Sequence, residues 1–131
     1  MLTIKVEPDY KDALAQFGIK PYTGITVMTV RSSGELLGLG TMRVFGKYAS
    51  IDGFYFKLES DAADLTYGLG KSMLNMLDLH GVRYVVSNGV GMEKHLSELG
   101  FVPIEECPHD IDIPDDWRLC LNLDGYFTSN C

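Results

Sequence analysis

The residues with the clearest chemical meaning are Gly68, Gly70, Lys71 and Ser72, in the stretch "YGLGKSML". The first N–H groups of a helix have no partner within it and its dipole is positive there, so a glycine-X-glycine turn opening a helix can receive an anion. Glycine lets a phosphate approach the backbone, lysine adds a cation and serine a hydroxyl. A nucleotide P-loop would need a further glycine five residues before Gly70, where Leu65 stands, and a buried strand feeding the turn, where "ESDAAD" is polar. The dinucleotide pattern G-x-G-x-x-G fails at Met73, which takes the place of the third glycine. What remains is a turn whose free amides, at a helix beginning near Gly68, hold a pyrophosphate. On the residues alone the alternative stays open that Gly68 and Gly70 only let a helix pack closely on a sheet.

The elements that must position this turn can be read from hydrophobic period. "LTIKVE" is a short strand, and "DYKDALAQFG" a short helix begun by Asp9 and closed by Gly18. Three strand-like runs follow, "GITVMTVR", "LLGLGTMRVFG" and "YASIDGFYFKL", the first two joined by the hairpin-length turn "SSGE". After "ESDAAD" the period lengthens, with Leu69, Met73, Leu74 and Leu77 on one helical face up to His80-Gly81. "VRYVVSNG" is a buried type of strand, and "MEKHLSELG" a helix ended by Gly100. "FVPIEE" and "WRLCLNL" are the last strands, joined by the acidic loop "CPHDIDIPDD". The order β-α-β-β-β-α-β-α-β-β predicts an α/β fold with a mixed sheet, hairpins in its first half and crossover helices in its second.

Composition narrows the function. With 131 residues and 46% hydrophobic content, the chain is expected to form one domain, residues 1–131, around one core. A net charge of −7 opposes nucleic acid and anionic membrane and favours a cationic or neutral small molecule. No leader is visible and no apolar run approaches the ~20 residues of a membrane span, so a soluble, cytoplasmic protein is expected. Cys107, Cys120 and Cys131 are odd in number and lack metal-ligand spacing, which predicts free thiols in a reducing cytosol rather than a disulfide or zinc site. His80 and His109 are expected at the surface, without a metal.

Element order and glycine turn together resemble the GNAT superfamily of N-acetyltransferases over roughly residues 20 to 123. In that family a loop of the form Gln/Arg-x-x-Gly-x-Gly/Ala opens the central helix, and "LTYGLG" stands in its place with Gly68 and Gly70 matching. Asn88 after a short strand, and "MEKHLSELGFVPIEE" with its leucine-glycine-phenylalanine corner, add to the likeness. The resemblance implies acetyl-CoA as acyl donor and a small amine as acceptor. The backbone around Phe56, Lys57 and Leu58 would hydrogen-bond the pantetheine arm. The amides of Thr66, Tyr67, Gly68, Leu69, Gly70 and Lys71, with Ser72 beside them, would hold the pyrophosphate. The thioester would sit in a gap between "FYFKL" and "VRYVVSN", near Asn88, and the amine would attack it directly with a backbone N–H polarising its carbonyl and no metal required.

The chain departs from the pattern at Leu65, where Gln or Arg is usual, and at Leu96, where many members carry the tyrosine that reprotonates the thiolate. Its neighbour His95 points about 100° away on a helix, which leaves Tyr126 or a water for that role. Asp52 matches approximately the place of an acidic general base. On period-two alternation it shares a face with Phe54 and Phe56, and an acid beside aromatics is poorly solvated and suited to accept a proton. The other reading is a solvated aspartate before a turn at Gly53; Glu59 and His95 are further candidates. The N-terminal region keeps one clear helix where members use two, so the acceptor site would be open or completed by a second chain in a homodimer. The acidic loop from Glu105 to Asp116 would attract a polyamine if it is more than a solvated charge run. Two functions follow: an acyl-CoA-dependent N-acyltransferase, or a non-catalytic module that binds acetyl-CoA and reports it to a partner protein.

Overall fold

The computed structural model describes residues 1–127. Its elements run in the expected order: β1 (Leu2–Val6), α1 (Lys11–Ala15), β2 (Ile25–Ser32), β3 (Glu35–Val44), β4 (Tyr48–Phe56), α2 (Glu59–Leu79), β5 (Tyr84–Ser87), α3 (Glu93–Leu99), β6 (Val102–Pro103) and β7 (Leu119–Asn122), with a 3-10 turn at Ile104–Glu106. They form one seven-stranded sheet of order β1-β2-β3-β4-β5-β7-β6. The first four strands are antiparallel neighbours, and β4 and β5 are parallel, joined by the α2 crossover. Ser33 and Gly34 turn the β2–β3 hairpin with φ of 49° and 88°, the pair of positive values a two-residue I′-type turn needs. No helix among the described residues is long and apolar enough to cross a membrane.

Strand alternation divides the core between the two faces. Met28, Val30, Met42, Ile51 and Val85 pack with α2 and α3, whereas Val27, Leu36 and Leu39 pack with Ala13 and Leu14 of α1. A third cluster joins Tyr84 and Val86 to Ile113 and the two cysteines Cys107 and Cys120.

The helix expected to begin near Gly68 begins instead at Glu59 and runs for 21 residues through both glycines. Glycine disfavours a helix interior by about 1 kcal/mol each. Against this, Leu69, Met73, Leu74 and Leu77 are all 0% exposed, and burying each is worth roughly 1.5–3 kcal/mol. Ala62 and Ala63 propagate the helix, and Glu59 and Asp61 in its first turn suit the positive end of the dipole. Polarity before the glycines therefore marks the exposed head of the helix, not a loop.

The packing role of the glycines is testable. Gly68 is exposed with nothing within 4 Å of a built Cβ, whereas a Cβ on Gly70 would lie 2.6 Å from Leu99 Cδ1 of α3. Gly68→Ala should stabilise the protein by about 0.5–1 kcal/mol and Gly70→Val should destabilise it by about 1–3 kcal/mol in urea unfolding. Equal effects of the two would rule out the helix-on-helix contact as the reason for Gly70.

Three smaller expectations are also corrected. Asp9 does not cap α1, whose N-cap is Tyr10 with no side-chain hydrogen bond. The strand "FVPIEE" stops after Pro103, which has no N–H to continue the ladder, and becomes the 3-10 turn. Cys107 and Cys120 are not free thiols but a disulfide, with Cα atoms 5.9 Å apart. Pairing of β6 with β7, which sets Val102 opposite Cys120, folds the chain back and brings together cysteines whose spacing reveals nothing. Cys131 lies outside the described residues.

Candidate active site

The site grows from a divergence between two strands. β4 and β5 pair only where Tyr48–Ser50 faces Tyr84–Val86, yet β4 continues along β3 to Phe56. Ser87 makes the last tie, its Oγ donating to the Ile51 carbonyl at 2.8 Å and accepting from the Gly89 N–H at 3.1 Å. Beyond it, β4 residues 53–56 have no strand on their β5 side among the described residues. The gap opens onto a cavity of about 630 Å³ walled by Tyr22, Arg43, Asp52, Tyr55, Asn88 and Trp117.

Asp52 reaches this cavity because of a β-bulge. Thr41 pairs with Gly53 and Met42 with Ile51, so Asp52 is the extra residue with no opposite number. The bulge reverses the alternation. Ile51, Phe54 and Phe56 pack with the α2 core, while Asp52 and Tyr55 line the cavity on the other side. Asp52 therefore does not share a face with Phe54 and Phe56, as period two predicts.

Its carboxylate is fully engaged. Oδ2 accepts from Tyr22 Oη at 2.7 Å and Arg43 Nε at 2.9 Å, and Oδ1 accepts from Arg43 Nη2 at 3.0 Å and Ser50 Oγ at 2.8 Å. Four donors fill the roughly four lone-pair sites that a carboxylate offers. The hydrogen bond from Arg43 to Asp52 raises the pKa of the guanidinium further above neutrality, so it stays charged. Burial pushes the Tyr22 hydroxyl up to about 12; the bond to Asp52 reinforces this and one with Thr41 opposes it. Tyr22 is thus a neutral donor at physiological pH.

Arg43 is also surrounded by rings. Its Cζ lies 5.7, 5.2 and 5.9 Å from the centroids of Tyr22, Phe45 and Trp117, within cation–π range. Asn88 closes the far side, its Oδ1 accepting from the Arg118 N–H at 3.2 Å and its carbonyl from Arg118 Nη1 at 3.5 Å.

The residues expected to hold the donor are dispersed. The Lys57 N–H is bonded to the Leu37 carbonyl at 3.0 Å and its ammonium to Gln16, while Leu58 caps α2 and is 60% exposed. Thr66, Tyr67, Gly68, Leu69, Gly70, Lys71 and Ser72 all lie inside α2. Their amides belong to the helix ladder and cannot form a pyrophosphate loop. Thr66 Oγ1 donates to the Ala62 carbonyl at 2.6 Å, and the Lys71 ammonium lies 4.5 Å from the Tyr126 ring and 5.4 Å from that of Phe127. The amides left open by helix geometry are those of Glu59, Ser60 and Asp61. A cleft between α2 and α3 beside them is lined by Glu59, Tyr67, Lys94, His95 and Glu98.

Leu96, which stands where the family's proton-donating tyrosine would be, is 0% exposed in the core. The Tyr126 hydroxyl donates to the Leu99 carbonyl at 2.6 Å, outside the gap. Sequence reasoning missed Tyr22, Arg43 and Trp117. A charged residue inside the apolar run "TMRVFG" is the signal that could have found Arg43.

No family model matches the chain, and no curated protein sequence matches it significantly. Its fold is shared with solved acetyltransferases. The spermidine/spermine N-acetyltransferase SpeG from Vibrio cholerae superposes with a TM-score of 0.71 at 14% identity, over 100% of each chain. The ribosomal-protein-S18-alanine N-acetyltransferase from Escherichia coli gives 0.67 at 13% identity over 94% of each. A GNAT-family acetyltransferase from Staphylococcus aureus Mu50 gives 0.63 at 11% identity, over 94% of this chain and 99% of that one. With the splayed central strands and the crossover helix, the seven-stranded sheet of this chain is the GNAT acetyltransferase fold.

Proposed function

We propose that the protein transfers an acyl group, most simply acetyl from acetyl-CoA, to a small amine. The observation that carries this is the open edge of β4 running directly into the Asp52 cavity. The amides of a pantetheine arm can add to residues 53–56 as a short strand, which brings a thioester to the mouth of the cavity. The amine's lone pair attacks the acyl carbon, the C–S bond breaks and the proton lost by the nitrogen passes through water to the thiolate, while a backbone N–H of the open edge steadies the oxyanion.

The diphosphate end is held differently from the glycine-turn scheme. Its nearest open amides, at the head of α2, carry Glu59 and Asp61 in the same turn, and these repel phosphate. Donor affinity then rests on the pantetheine and acyl parts. Acetyl-CoA at a hundred times its dissociation constant should stabilise the protein by about 2.7 kcal/mol. Glu59→Gln combined with Asp61→Asn should tighten binding by roughly three- to thirtyfold, because each charge removed is worth about 0.3–1 kcal/mol there. No thermal shift with millimolar acetyl-CoA in either protein would end the acyl-CoA reading.

A second reading, a non-catalytic module that binds acetyl-CoA and regulates a partner protein, is favoured by the saturated Asp52 carboxylate and the buried Leu96. Tight acetyl-CoA binding with no acylated product over a broad amine panel would select it.

A further inference from the structure

We propose that the amine accepted by the cavity carries a carboxylate and an aromatic ring, as an aromatic amino acid does, and is not a polyamine. This rests on the acyl-transfer reading for the amine and on the cavity itself for the rest.

A polyamine needs an unpaired carboxylate to receive its second ammonium. Among the described residues Asp52 is the one carboxylate lining the cavity, and its two oxygens already accept four hydrogen bonds. The acidic loop offers no substitute at the cavity, since none of its carboxylates lines it and Asp110 is engaged by Arg83 and Tyr84.

Donors, by contrast, are left over. Asp52 takes the Nε–Nη2 edge of Arg43, and Nη1 makes no hydrogen bond among the described residues. The Nη1–Nη2 edge can therefore clasp a second carboxylate end-on, in the two-bond geometry that guanidinium favours. Arg43 and Asp52 cancel in charge, but Arg118, held against Asn88, forms no ion pair among the described residues. The three groups together leave one net positive charge beside the cavity of a protein whose net charge is −7. The apolar part of the ligand is called for by the rings. Tyr22, Tyr55, Trp117 and the 81% exposed Val90 line the cavity, and Phe45, 41% exposed, stands against Arg43 and Trp117. Flat rings around a guanidinium make a slot for another ring.

Trp117 is the chain's single tryptophan and lines the cavity, so its fluorescence reports binding there directly. L-phenylalanine, phenethylamine and spermidine are titrated into the protein without CoA. Phenylalanine should bind at least about tenfold more tightly than phenethylamine, the worth of a bidentate charged contact, and spermidine should leave the signal unchanged. Arg43→Lys keeps the charge facing Asp52 but loses the planar edge, and should collapse the phenylalanine-to-phenethylamine ratio towards one. A ratio near one in the wild type, tighter binding of spermidine, or no binding by any of the three overturns the proposal; the wild-type ratio needs no variant to fold. Phenylalanine binding without acetylated product on adding acetyl-CoA would remove the transfer reading and leave the ligand class standing.

Discussion

Reducing the Cys107–Cys120 disulfide is expected to lower the unfolding free energy by about 3 kcal/mol. The link closes a segment across 13 positions, and loop-closure entropy for a ring of that size gives a value of this order. Between the 3-10 turn and β7 the segment has no regular element; besides the link it is held by Ile111, Ile113 and Trp117 in the buried cluster, by Asp110 against Arg83 and Tyr84, and by Arg118 against Asn88. Urea unfolding with and without dithiothreitol reads the effect, and Cys107→Ala with Cys120→Ala reproduces it without a reductant. Coincident curves would show that the buried cluster and these polar contacts hold the segment without the link. Because Trp117 and Arg118 belong to this segment, reduction should also loosen the cavity wall and weaken ligand binding there. The bonded pair removes the ground for inferring a reducing compartment from an odd cysteine count.

How far the sequence foretold the molecule depends on whether its signals were local. Element order was legible because hydrophobic period changes sharply at the strand–helix boundaries. The hairpin turn at Ser33-Gly34 announces itself by residue type, and the Leu69, Met73, Leu74, Leu77 face by spacing. The head of α2 was not legible, because glycine is both a helix breaker and a close-packing residue. The contact that selects the second role, Leu99 against Gly70, comes from another helix. The bulge at Asp52 was hidden for the same reason: it is a mismatch between two strands, and one strand read alone keeps perfect alternation. Arg43, Tyr22 and Trp117 lie on separate elements and meet only when β3, the α1–β2 connection and the segment before β7 are folded together. GNAT resemblance therefore predicted the architecture correctly while placing the donor's phosphates on amides that the helix uses for itself.

The consequence for Asp52 is the sharpest test of the site. A general base keeps its shape when changed to asparagine, so Asp52→Asn should then leave folding intact and lose turnover that returns as pH rises. The geometry gives a different expectation. Asparagine presents an NH₂ where one oxygen stood, and either orientation sets that donor against an Arg43 N–H. Tyr22 and Ser50 can rotate their hydroxyls to accept, but guanidinium has no acceptor. With side chains 16% and 31% exposed, the Asp52–Arg43 pair is neither fully buried nor freely solvated, and breaking it should destabilise the protein by about 1–3 kcal/mol. Displacing Arg43 also removes the clasp that orients the acceptor, so turnover should fall by roughly 10²-fold, the penalty of a misplaced substrate, with a raised KM. That loss should persist at high pH, because deprotonating the amine does not restore Arg43. Replacing the whole pair, Arg43→Met with Asp52→Leu, should recover the stability but not the activity, since no unpaired charge is left and no clasp is rebuilt. A stable Asp52→Asn protein whose rate recovers with pH would return Asp52 to the role of base and leave Arg43 as its structural neighbour.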